Sequence, residues 1–76
     1  MRERIIKAVG RVSEDAVIFD GDDMLAAGII DSFEVLDIVD ELESEFGVDI
    51  NPEFIIDDYF RNINAIISLM TIILEN

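Results

Sequence analysis

The side chain best placed for chemistry in this 76-residue sequence is Ser32, in the stretch Gly28-Ile29-Ile30-Asp31-Ser32-Phe33-Glu34. The stretch ends an irregular segment and opens a strongly helical pattern, so the Ser32 hydroxyl is expected to be exposed at the positive end of a helix. Backbone N–H groups and the helix dipole favour a phosphate ester there. The competing reading is that Asp31 or Ser32 only caps the helix. A serine hydrolase does not fit, because the chain has no His, the motif is not G-x-S-x-G and Lys7 is its single lysine. Asp20-Gly21-Asp22-Asp23 begins like a calcium loop, but counting from Asp20 puts Met24 at the fifth position, Leu25 where Gly is required and Asp31 in place of the closing Glu. No dedicated metal site is expected, only loose and nonspecific divalent binding.

The composition narrows the chemistry further. With neither Cys nor His, the chain has no thiolate or imidazole nucleophile and no zinc site built on them. Eighteen Asp and Glu against five Lys and Arg give a net charge of -13, which repels nucleic acid and anionic membranes and selects proteins with basic surfaces. Half of the chain is apolar (51%), too much for a disordered acidic tail. The length suits a single domain over residues 1–76, too small for a cleft between lobes. No targeting segment is evident, and the apolar run from Ile63 to Leu74 falls short of the ~20 residues that a membrane span requires. A cytoplasmic protein without stable membrane insertion is expected.

Charge is segregated along the chain. Residues 1–12 hold four basic side chains and one acidic, residues 13–60 hold sixteen acidic and none basic, and Arg61 balances Glu75 in the remainder. The middle block therefore presents a field of one sign.

Several elements must position Ser32. Ile5, Val9 and Val12, with Ile6 beside them, predict a short first helix that Gly10 weakens at its end. From Ser13 to Ile30 the periodicity dissolves, which predicts an ordered loop pinned by Val17, Ile18, Phe19, Met24 and Leu25; a loop of that length is functional or carries a short helical turn. Residues 31–46 give the clearest helix. Val35, Val39, Leu42 and Phe46, with Leu36 and Ile38 widening the stripe, form its buried face, Glu34, Asp37, Glu41, Glu43 and Glu45 its anionic face, and Gly47 its stop. Asn51-Pro52 starts a new turn, a short helix is expected around Asp57 to Phe60, and Asn62 caps a last helix from Ile63 to about Leu74. In that helix Ile63, Ile66, Ile67 and Met70 are expected to face inward, leaving Leu69 and Ile72 outside as a partner or self-association patch. The expected fold class is all-α.

Over nearly the whole chain this pattern resembles the acyl carrier protein family. The matching pieces are the short first helix, the long loop, G-I-I-D-S-F at 28–33, E-L-E-S-E-F-G-V-D-I at 41–50, Pro52 and the helix opened by Asn62. The resemblance implies a four-helix bundle, with three main helices and a short one before the last. It also implies a 4'-phosphopantetheine group attached covalently to Ser32, from coenzyme A, by a phosphopantetheinyl transferase, with Asp31 and Phe33 flanking the attachment point. The thiol of that group would hold acyl or aminoacyl cargo as a thioester, which fits a chain without Cys.

By the same resemblance the protein is a free-standing, monomeric bacterial carrier rather than an enzyme, serving fatty-acid, lipid or related biosynthesis. Phe33 stands where fatty-acid carriers usually have Leu, and G-V-D-I and the opening of the last helix look somewhat like D-alanyl carriers, so an aminoacyl carrier is the alternative. An unmodified acidic adaptor is the second. The implied partners are acyl- or aminoacyl-transferring enzymes with basic docking patches, met by Glu34, Asp37, Glu41 and Glu43; a solvated face is the plainer reading of these residues. Leu36, Val39, Phe46, Ile56, Ile63 and Ile67 are candidates to line an interior berth for cargo, or are ordinary core.

Overall fold

The computed structural model describes residues 1–75. It is an all-helical bundle with the element order α1 (Arg2–Gly10), α2 (Glu14–Ile18), α3 (Ser32–Phe46), α4 (Asp57–Phe60) and α5 (Ile63–Glu75), with a 3-10 turn at Pro52–Phe54 before α4. Helices α1, α3 and α5 are the three main members, and α4 is the expected short helix before the last. Helix α2 adds a fifth. It lies inside the segment expected as an ordered loop, where the Ser13 hydroxyl accepts the Ala16 N–H at 3.1 Å and so caps a single short turn.

The core is one cluster. Ile5, Ala8 and Val9 of α1 meet Val35, Ile38, Val39 and Leu42 of α3, with Phe60 of α4 and Ile63, Ile66, Leu69 and Met70 of α5. Leu69 is fully buried, contrary to its expected outward placement, whereas Ile72 is partly exposed as expected. The rotation of α5 explains the difference. Asn64, Ser68, Thr71 and Glu75 fall at i, i+4, i+7 and i+11 and form its outer stripe, which turns Ile66, Leu69 and Ile73 toward the shared core. The four-residue α4 is too short to persist by hydrogen bonding alone. It is held by Phe60, which has no exposed surface and whose burial is worth about 1.5–3 kcal/mol.

Basic α1 lies along acidic α3. Arg4 donates to a Glu45 carboxylate oxygen at 3.2 Å and to the Glu45 carbonyl, and its guanidinium sits 4.3 Å from the centre of the Phe46 ring. Arg11 reaches Glu45 at 3.2 Å and Glu41 at 4.0 Å. The carboxyl pKa of Glu45 is held below its ordinary value, chiefly by the hydrogen bond from Arg4, with burial opposing it and Arg11 and Lys7 lowering it further.

Candidate functional site

Ser32 is presented by two structures that meet at Asp31. The first is the segment 19–31, which is ordered because its backbone groups are satisfied. Met24 is fully buried and its N–H donates to the Arg61 carbonyl at 2.7 Å, while the Met24 carbonyl accepts from Ile29 and Ile30. The Asp23 carboxylate accepts the N–H groups of Leu25 and Ala26 at 3.0 Å, and the Asn62 amide donates to the Asp22 carbonyl at 2.9 Å. Gly28 closes the turn with φ +75°, a conformation that a side chain would strain. Of the side chains expected to pin this segment, Met24 is buried and Val17, Phe19 and Leu25 pack against the core, but Ile18, at the end of α2, is 77% exposed and pins nothing; a hydrogen-bonded tie to the α4–α5 corner reinforces the rest.

The second structure is the first turn of α3. Asp31 is its cap: its Oδ1 accepts the Glu34 N–H at 2.9 Å, and the Glu34 carboxylate accepts the Asp31 N–H at 3.3 Å, a reciprocal capping box. Gly47, at φ +65°, closes the other end. With Asp31 as the cap, Ser32 is released from that task. The Ser32 hydroxyl is exposed and makes no hydrogen bond among the described residues, and the N–H groups of Ser32 and Phe33 have no acceptor there either. A free hydroxyl beside two free donors at the positive end of a fifteen-residue helix is the arrangement that holds a phosphodiester.

Beside Ser32 lies an open depression of about 550 Å³ between the 23–31 segment and the start of α4. Its walls include the carboxylates of Asp23, Asp31, Glu34 and Asp57 together with Leu25 and Ile30. Among the described residues no group of acidic side chains is arranged to hold a metal ion. None of the described helices is long and apolar enough to cross a membrane.

The other expected site residues separate. Of the four carboxylates expected to dock partners, Glu34 belongs to the capping box and Glu43 accepts the Ile50 N–H at 2.7 Å, locking the chain reversal after α3. Glu41 lies against Arg11, while Asp37 is exposed. Of the six residues considered for a cargo berth, Val39 and Ile63 are packed in the core, Phe46 and Ile67 are half-buried against it, and Leu36 and Ile56 lie open to solvent. The exposure of Phe33 is the residue-level feature that hydrophobic patterning could have flagged, since Phe33 falls outside the buried stripe of α3.

A protein-family model described as the phosphopantetheine attachment site matches residues 3–70. No curated protein and no solved structure matches. Members of that family carry covalently attached 4'-phosphopantetheine and are carriers rather than catalysts, and the free Ser32 hydroxyl and neighbouring N–H groups fit the phosphodiester of such a group. The arm would supply the thiol that Cys-free sequence lacks. The match covers all five helices except the first residue of α1 and the end of α5, and the chain belongs to the phosphopantetheine-attachment family of carrier proteins.

Proposed function

We propose that residues 1–76 form a single, monomeric cytoplasmic carrier domain with Ser32 as the attachment point. Its acyl cargo is delivered to partner enzymes of fatty-acid, lipid or related biosynthesis. The observation that carries this reading is the Ser32 hydroxyl, exposed and unbonded in the first turn of α3 because Asp31 has taken over the cap. Transfer from coenzyme A forms a bond from Ser32 Oγ to phosphorus and breaks the bond from that phosphorus to the adenosine bisphosphate leaving group. The hydroxyl proton passes to a base of the transferase. The uncompensated carboxylates around Ser32 favour partners that bring Lys and Arg to it.

A second reading, an aminoacyl or D-alanyl carrier, is favoured by the scatter of the berth candidates. Long alkyl cargo would need Val39 and Ile63 to open out of a packed core, whereas a small aminoacyl group needs no berth.

Intact-mass measurement after incubation with a broad-specificity phosphopantetheinyl transferase and coenzyme A tests the attachment. One added phosphopantetheinyl group, absent from Ser32→Ala, is expected; no addition, or one that survives the substitution, would leave the acidic adaptor. Charging the modified protein with a fatty-acyl ligase in one arm and a D-alanine-activating ligase in the other decides between the cargo classes.

A further inference from the structure

Asp20 precedes Gly21, and nowhere else in the chain does Asp or Asn precede Gly. The pair lies in an irregular, exposed stretch between α2 and the turn at Met24. Among the described residues the Asp20 carboxylate makes no hydrogen bond or ion pair, and the Gly21 N–H has no acceptor. Nothing therefore ties the Gly21 nitrogen away from Asp20 Cγ, and Gly21 brings no Cβ to obstruct the approach. A side chain at that position is refused by the fold, because a Cβ on Gly21 would stand 2.6 Å from a carbon of the Phe19 ring, which packs against the core.

The other aspartates are better protected. Asp15, Asp37, Asp40, Asp57 and Asp58 are fixed in helical backbone, which turns the following nitrogen away from the carboxyl. The Asp23 carboxylate is occupied by two N–H groups and that of Asp31 by the cap of α3, while the Ile50 N–H that follows Asp49 donates to Glu43 at 2.7 Å. Asp22 is followed by a residue that carries a side chain.

We propose that Asp20–Gly21 is a site of spontaneous isoaspartate formation and that the conversion loosens the segment leading to Ser32. The Gly21 nitrogen bonds to Cγ of the protonated Asp20 carboxyl; the proton of that nitrogen and the carboxyl hydroxyl leave as water, and a five-membered succinimide remains. A water molecule then opens the ring. Breaking the bond from nitrogen to Cγ restores Asp, whereas breaking the bond from nitrogen to the α-carbonyl carbon leaves isoaspartate, with the backbone routed through Cβ and Cγ and the former α-carbonyl as the carboxylate. Mass and charge are those of the parent, and the backbone is one atom longer.

That atom enters between two fixed points. Upstream is the Phe19 ring; downstream the Asp22 carbonyl accepts the Asn62 amide at 2.9 Å and the Met24 N–H donates to the Arg61 carbonyl at 2.7 Å. Asn62 also caps α5, accepting the Ala65 N–H at 2.8 Å. Lengthening the chain between these points displaces the Asp22 carbonyl and weakens the tie to the α4–α5 corner.

The full chain is aged in warm, mildly acidic buffer and sampled with an isoaspartyl-specific methyltransferase and labelled S-adenosylmethionine, followed by peptide mapping with a protease that cuts before Asp but not before isoaspartate. Label is expected first at residue 20, and none at that position in Asp20→Glu, which keeps the charge but would need a six-membered ring. The isoaspartyl form, separated from the parent, should melt about 4–8 °C lower, the shift that loss of one hydrogen-bonded tie gives in a domain of this size. Its Met24 amide should exchange faster while that of Glu34 is unchanged. No label at residue 20, or label first at another aspartate, would overturn the site. An isoaspartyl form with the Tm and Met24 exchange of the parent would overturn its coupling to the segment. Neither result bears on the carrier reading, which the intact-mass assay decides.

Discussion

Replacing Asp31 by Ala removes the side chain that releases Ser32 from capping duty, and the cost can be worked from the geometry. The 2.9 Å bond from the Glu34 N–H to Asp31 Oδ1 is lost, and the returning 3.3 Å contact from Glu34 loses its fixed partner. Loss of such a cap costs about 1 kcal/mol, within a range of about 0.5–2. Because the site is exposed, water satisfies the freed N–H and the middle of the range applies. In a domain of this size about 1 kcal/mol lowers the Tm by about 4–8 °C.

Asp31→Asn separates the cap from the charge. Asn caps as well as Asp, so the hydrogen bond survives. The lost attraction to the helix dipole, about 0.3–1 kcal/mol, is offset by relief of repulsion from Asp23, Glu34 and Asp57 in the same depression. The net change expected for Asn is therefore near zero. Thermal melts followed by circular dichroism at low and moderate salt measure both variants, and amide exchange at Glu34 reports the cap itself. A loss with Asn as large as that with Ala would show that charge rather than hydrogen bonding fixes the first turn; no loss with Ala would refute the capping argument altogether.

Three further outcomes are expected. Leu69→Ala should cost about 2–5 kcal/mol in urea denaturation, the range for a buried large-to-small change, whereas an outward Leu69 would give a change within about 0.5 kcal/mol. Arg4→Met should destabilise most at neutral pH. The folded-state pKa of Glu45 is depressed, so its contribution is present above the unfolded value and disappears as pH falls through the folded one; the gap between parent and variant should narrow on acidification, and a widening gap would contradict the sign. Added salt should raise the Tm, because screening relieves the self-repulsion of sixteen acidic residues without a basic one between positions 13 and 60; a falling Tm would mean that the α1–α3 ion pairs outweigh it.

Much of the architecture was legible because α3 and α5 are long. Val35, Val39, Leu42 and Phe46 repeat often enough to define a face, and Asp31, Gly47 and Asn62 mark ends with side-chain or backbone chemistry. Helix α2 was not legible, since five residues make too little pattern for a period and only the Ser13 cap signals it. Leu69 was misplaced because α5 is apolar almost throughout. The readable signal was its sparse polar stripe at Asn64, Ser68, Thr71 and Glu75 rather than its abundant Ile.

Ser32 stood out from local sequence because a helix start is a local event. The commitments of the α3 carboxylates did not, since Glu43 is engaged seven residues downstream and Glu45 by arginines 34 and 41 positions away. Which acids remain free for a partner is a property of tertiary structure.

The pairing of α1 with the C-terminal half of α3 also gives the molecule an electrical polarity. Arg4 and Arg11 compensate Glu41 and Glu45 toward one end, while Asp23, Asp31 and Asp57 make no ion pair among the described residues in the depression beside Ser32. In the field of a cationic surface such a body experiences a torque as well as an attraction. It rotates as it approaches and arrives with Ser32 foremost, so a larger fraction of random collisions begins in a productive orientation.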